Sequence, residues 1–333
     1  MLARAAGNLF WLNRYLQRVE NTARLIRVHT ILLMDLPGAN PADSWLPLVS
    51  ITGGITDFTW LGTASDEISV CSFLINEANN SGSMASDLQA VSINLRSSRD
   101  CMSTELYELI KGLCGYTAQL SDQCQDAGMR QDLLKNIENQ SRAIAGAMSS
   151  TISRDTDYLF LRIGRLLECA DMTSRILDVR SANLLSTDSK NEHLPFVTTQ
   201  WVSVLDSLSA LQMYMKHARK PVTGSGVISF LVQNQHFPQT IHYCLTELAR
   251  CLRLLGSGHT GHESDQEART DSEQSGISKL DELIYANQRA DIALLAKNKQ
   301  QLHEYISQLQ IALNLINDDI ASRYFPPIDL EGG

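Results

Sequence analysis

Between residues 9 and 26, apolar side chains return at alternating steps of three and four: Leu9, Leu12, Leu16, Val19, Ala23 and Ile26. That spacing is the seam of helix–helix packing, and it predicts one continuous helix over 3–35, stopped at Pro37-Gly38. The other side of this helix is not simply polar. It carries Phe10, Leu25, Val28 and Leu32 interleaved with Arg14, Gln17, Arg18, Glu20, Asn21 and Arg24. A helix that is apolar all round is a buried one, and charges on it must be paired between packed layers. Glu20 and Arg24, four residues apart, form one such pair.

The pattern comes back 151 residues later, over 154–186: Arg14 matches Arg165, Leu16 Leu167, Glu20 Asp171, Thr22 Thr173, Arg24 Arg175 and Val28 Val179. Two later landmarks recur in the same order. Trp45 corresponds to Trp201, and Phe73-Leu74 to Phe230-Leu231, with Leu88, Val91 and Leu95 matched by Leu245, Leu248 and Leu252. The expected architecture is an all-α multi-helix bundle made of two pseudo-symmetric, duplicated halves, 1–150 and 151–333. Further helices are expected at about 45–53, 66–78, 83–100, 104–122, 127–150, 277–296 and 299–323, and strand patterns are nearly absent. The polar stretch 187–195 reads as a linker, 256–276 as a mobile loop, and the GSG at 224–226 as a turn before the helix VISFLV.

Charge is unevenly placed. The chain of 333 residues carries a net charge of −9, which argues against a nucleic-acid-binding surface. The first lysine is Lys111, yet Arg4, Arg14, Arg18, Arg24, Arg27, Arg96 and Arg99 precede it. Arginine without lysine points to forked contacts with carboxylates or phosphates. No apolar run is long enough to span a bilayer, and arginines interrupt what would be the core of a secretion signal. Seven cysteines without a CxxC spacing fit a reducing, cytoplasmic setting.

These residues leave three readings open. One is an anion-binding cleft between the two long helices, lined by Arg14, Arg18, Arg24, Arg165, Glu168, Asp171 and Arg175, with Arg96, Arg99 and Glu105 as a second charged cluster. It would take an anionic small molecule or peptide. Another is an enzyme in its own right with Glu168 or Glu20 as general acid/base. The third is a structural adaptor whose paired charges only fix helix register. Phosphate-binding glycine loops are absent, as is any Glu-x-x-His for a di-iron bundle, so neither a cofactor nor a metal is expected. Cys244 and Cys251 read as core thiols, and Cys169, beside Arg165 and Asp171, as a candidate activated thiol.

The opening MLARAAGNLFWLNRYLQRVENTARLI and the mid-chain FLRIGRLLECADMTSRILDVR resemble the two signature segments of the alpha-E domain family, a helical family named for a glutamate–arginine motif. RDCMSTELYELI and the later HFPQTIHYCL, which reads as a Pro-started helix, are similar to further family segments. The family's Glu-Arg dipeptide is intact in neither half: Gln17 stands for the glutamate in one and Cys169 for the arginine in the other. A composite of Arg18 and Glu168 would restore it. The resemblance implies partnership with an ATP-grasp-like ligase and a transglutaminase-like protein, and a role in ATP-dependent peptide or amide formation.

Overall fold

The computed structural model describes residues 3–35, 45–117, 119–120, 124–185, 195–257 and 266–325. Every regular element among them is helical. The long central helices are α1 (Ala3–Asp35) and α8 (Thr156–Leu184). Between them lie α2 (Leu46–Thr52), α3 (Ile55–Leu61), α4 (Glu67–Ile75), α5 (Met84–Ser97), a single 3-10 turn at Arg99–Cys101, α6 (Thr104–Cys114) and α7 (Ala127–Thr151). After α8 come α9 (Pro195–Ser207), α10 (Leu211–Ala218), α11 (Gly224–Gln233), α12 (Ile241–Ser257), α13 (Gln266–Gln288), α14 (Ile292–Leu295) and α15 (Lys299–Tyr324). No helix among the described residues is long and apolar enough to cross a membrane.

Helix starts follow side-chain chemistry. Asp66, Ser83, Ser103, Asp126, Asp155, Thr223, Asp291 and Asn298 each accept from a backbone N–H in the first turn of the helix they precede. The cap on Thr223 corrects one expectation: Gly224, Ser225 and Gly226 are the first turn of α11, not a turn before it. The Pro-started segment likewise begins its helix only at Ile241, three residues beyond Pro238. The backbone of 266–276, read from its polarity as loop, is helical and opens α13, while 258–265 and most of the expected linker, 187–194, lie outside the described residues.

At the centre, α1 and α8 lie side by side and run parallel, since contacts rise together along both. Asn13 donates to the Leu161 carbonyl, Arg14 reaches Glu168, and Arg180 reaches His29. They approach closely at Gly164, where an added Cβ would sit 2.2 Å from the Phe10 carbonyl oxygen. Neighbours then enclose both. α5, α7 and α9 pack on α1, while α12, α15 and α2 pack on α8. One apolar core results, running from Leu9 through Leu161 to Leu313.

Candidate functional site

Because α1 is enclosed on every side, its charges face different neighbours, and the expected single cleft resolves into separate groups. The first lies at the α1–α8 crossing. Glu168, 2% exposed, accepts from Arg14 Nε at 2.9 Å and from Arg18 Nε and Nη2 at 2.8 and 3.1 Å. Arg14 also donates to Asn317 of α15 at 2.8 Å. Asp87 of α5, 1% exposed, stands 3.5 Å from Arg18 on the far side, and neither of its oxygens has a hydrogen-bond partner. Burial opposes ionisation of Glu168, but the guanidiniums of Arg18 and Arg14 outweigh it and hold the carboxyl below its usual range. For Asp87 burial wins. Arg18 offsets it only in part, Glu168 adds repulsion, and the carboxyl is pushed up to about 7.

The second group is centred on Glu138 of α7, a buried carboxylate that sequence reasoning missed. It accepts from Arg27 at 2.6 Å and Arg142 at 3.1 Å, and Arg24 lies 3.4 Å away. Arg24 also pairs with Glu20, to which Gln17 donates at 3.3 Å. Asp171 and Arg175 form a third group, paired at 2.9 Å beneath the turn after α2. Arg99 is remote from all three: it lies over the Tyr107 ring at 4.5 Å and donates to Thr104, and Arg96 and Glu105 are exposed nearby.

Arg165 belongs to none of these. It lines a cavity of about 290 Å³ between α1, α7, α8 and the start of α12, together with Asn13, Arg162, Cys169, Gln239 and Tyr243. A narrow recess bordered by Gln17, Glu20 and Ser141 shares Arg165 as its wall. Arg162 is paired with Glu247 and donates to Tyr158 at 3.1 Å. Among the described residues, no hydrogen bond or ion pair holds Arg165. Cys169 adjoins Cys244 beside it, and the Cys244 thiol donates to the Pro238 carbonyl at 3.4 Å. The neighbouring Cys244 draws the Cys169 thiol below its usual range against the opposing effect of burial, and Arg165 assists, whereas Cys244 is raised by Cys169 and by burial. No group of three or more His, Cys, Asp or Glu suited to a metal occurs among the described residues.

The pattern of an arginine from one long helix clamping a glutamate from the other agrees with a match across the chain: residues 1–325 fit the Alpha-E family model, described as a predicted alpha-helical domain with a conserved ER motif. The chain belongs to the Alpha-E family. No curated protein and no solved structure gives a match. In this Alpha-E chain Arg18 and Glu168 meet across the α1–α8 interface as a two-point ion pair. Asp87, the third member, is the other residue the sequence hid. It sits in the first turn of α5, where an aspartate reads as ordinary helix-start chemistry.

Proposed function

We propose that this Alpha-E chain is a helical binding subunit of a peptide- or amide-forming system, and that it takes an anionic substrate at the cavity around Arg165. The carrying observation is that guanidinium: it borders a cavity and has no partner among the described residues, while Arg14, Arg18, Arg24 and Arg175 are all neutralised by carboxylates. An unpaired cation beside a cavity favours an anion over any neutral ligand. The proposal keeps Arg14, Arg18 and Glu168 as the lock that holds α1 to α8. The ATP-grasp-like ligase and transglutaminase-like protein as partners, and the cytoplasmic setting, rest on the sequence resemblance and on cysteine usage.

The duplication is part of this reading. What supports it is that the neighbours of α1 and α8 correspond in chain order, α5 with α12, α7 with α15 and α9 with α2. The contacts at the crossing correspond as well: Asn13 meets the Leu161 carbonyl and Gly164 the Phe10 carbonyl, each position being the other's counterpart 151 residues on.

Arg165→Ala is expected to leave the helical content unchanged and to abolish capture of the substrate or ligase partner, measured by co-purification from the native cell. Normal capture by that variant would overturn the reading. The alternative reading is an enzyme in its own right, with a carboxyl of the Arg18 group, Asp87 or Glu168, as general acid/base. Turnover of ATP with amino acids or peptides by the isolated chain would establish it and displace the subunit.

A further inference from the structure

The lock at Glu168 and the cavity at Arg165 are counterparts, and their differences are specific. In the register that pairs Arg14 with Arg165, Glu168 corresponds to Gln17 and Arg18 to Cys169. The offset that pairs Leu88 with Leu245 pairs Asp87 with Cys244. The contacts follow this register. Arg14 bonds Glu168, and its counterpart Arg165 borders the same recess as Gln17; Arg18 pairs with Asp87, and Cys169 adjoins Cys244. Every charged member but one has therefore been replaced by a neutral group at the second site. The arginine alone remains.

Its surroundings are unfinished in the same sense. Arg162 Nε, the Ser141 hydroxyl and the side-chain Oε1 of Gln239 are buried on the walls of the cavity or recess, with no hydrogen-bond partner among the described residues. Buried polar atoms without partners are costly, and several converging on one space mark a place for a polar ligand. Glu20 does not serve Arg165, because Arg24 and Gln17 hold it. The excess charge of the site is positive, and the space of about 290 Å³ suits a small molecule.

Resting on the anion-binding reading above, we infer that the ligand is a small carboxylate-bearing molecule, whose carboxylate partners Arg165 as Glu168 partners Arg14. A planar carboxylate accepts two parallel N–H bonds from a guanidinium, the fork that Arg18 makes with Glu168. The protein supplies the carboxylate at one site and leaves it to the ligand at the other.

The test titrates the full chain with succinate and, separately, with inorganic phosphate, following the arginine side-chain N–H resonances by NMR. Succinate is expected to saturate and phosphate to bind at least tenfold more weakly. Gln17→Glu, which places the protein's own carboxylate beside Arg165, should weaken succinate at least tenfold. Arg253→Ala on the remote surface should bind normally. Helical circular dichroism confirms that each variant is folded, and if Gln17→Glu does not fold, Arg165→Gln takes its place with the same expected loss. Phosphate bound better than succinate would overturn the carboxylate assignment and leave the anion site standing. Wild-type affinity in Gln17→Glu would overturn the counterpart argument. Unchanged binding in Arg165→Gln, or binding of neither anion, would overturn both readings.

Discussion

Asp87 and Glu168 share Arg18, yet their surroundings drive their protons in opposite directions. Folded Asp87 titrates near 7 against an ordinary 3.8, so the native state keeps a proton that the unfolded chain has lost. Stability from this group is full below about pH 4 and falls as pH rises toward 7. Glu168 is lowered, so its contribution is present above the usual carboxyl range and disappears as pH falls through its folded value. Asp87→Asn is therefore expected to flatten the stability profile between pH 5 and 8. It should also exceed the parent at pH 8 by roughly 1–3 kcal/mol in urea unfolding, the cost of burying that charge. A variant that tracks the parent at both pH values would contradict the assignment. Glu168→Gln strands Arg14 and weakens the hold on Arg18, which for a broken buried pair costs about 3–5 kcal/mol. In the same variant Arg18 turns wholly to Asp87, so the Asp87 titration midpoint, read by carboxyl NMR, should drop below 7.

For the elements, periodicity carried a great deal. The helices expected at 3–35, 45–53 and 299–323 are found at Ala3–Asp35, Leu46–Thr52 and Lys299–Tyr324, because a three-four apolar seam and capping side chains are local signals. Ile55–Leu61 escaped notice: it is seven residues long, with Gly53 and Gly62 in left-handed conformations on either side, so its sequence reads as turns. The site was legible in its parts and not in its grouping. A helical wheel assigns Arg14, Arg24 and Gln17 to one broad face, but which of α5, α7 or α8 covers each segment depends on residues far away in the chain, as with Arg18 and Asp87, Arg27 and Glu138, and Arg14 and Glu168. Glu138 shows the same limit, since nothing local distinguishes it from a solvated helix charge. The close approach at Gly164 yields its own prediction. In an isolated helix Gly164→Ala would gain about 1 kcal/mol. Here its Cβ would meet the Phe10 carbonyl at 2.2 Å, so α1 and α8 must separate, and a net loss of about 1–3 kcal/mol is expected in thermal or urea unfolding. A more stable variant would mean that the crossing is looser than described.

Across the whole molecule, α2 packs on α8 and α9 packs on α1, so each half covers the other's central helix. The described residues on either side of residue 150 share one core. A fragment ending at residue 150 would expose the faces of α1 that α8 and α9 bury, and it is expected to be collapsed but poorly dispersed in its amide NMR spectrum. The full chain should unfold in one transition. A well-dispersed spectrum from the fragment would show that the halves are autonomous.

The lock on α1 also sets a timetable. Arg14 is made early, but its acceptor on α8 lies 154 residues downstream and Asn317 lies 303 residues downstream. At ribosomal rates of about 5–20 residues per second, α1 waits on the order of 15–60 s for its last polar partner. During that interval it is a nascent helix with apolar residues on every side and no permanent covering. Arg14, Arg18, Glu20, Arg24 and Arg27, each partnered in the finished protein, are then solvated charges that keep the waiting segment from sticking to other chains.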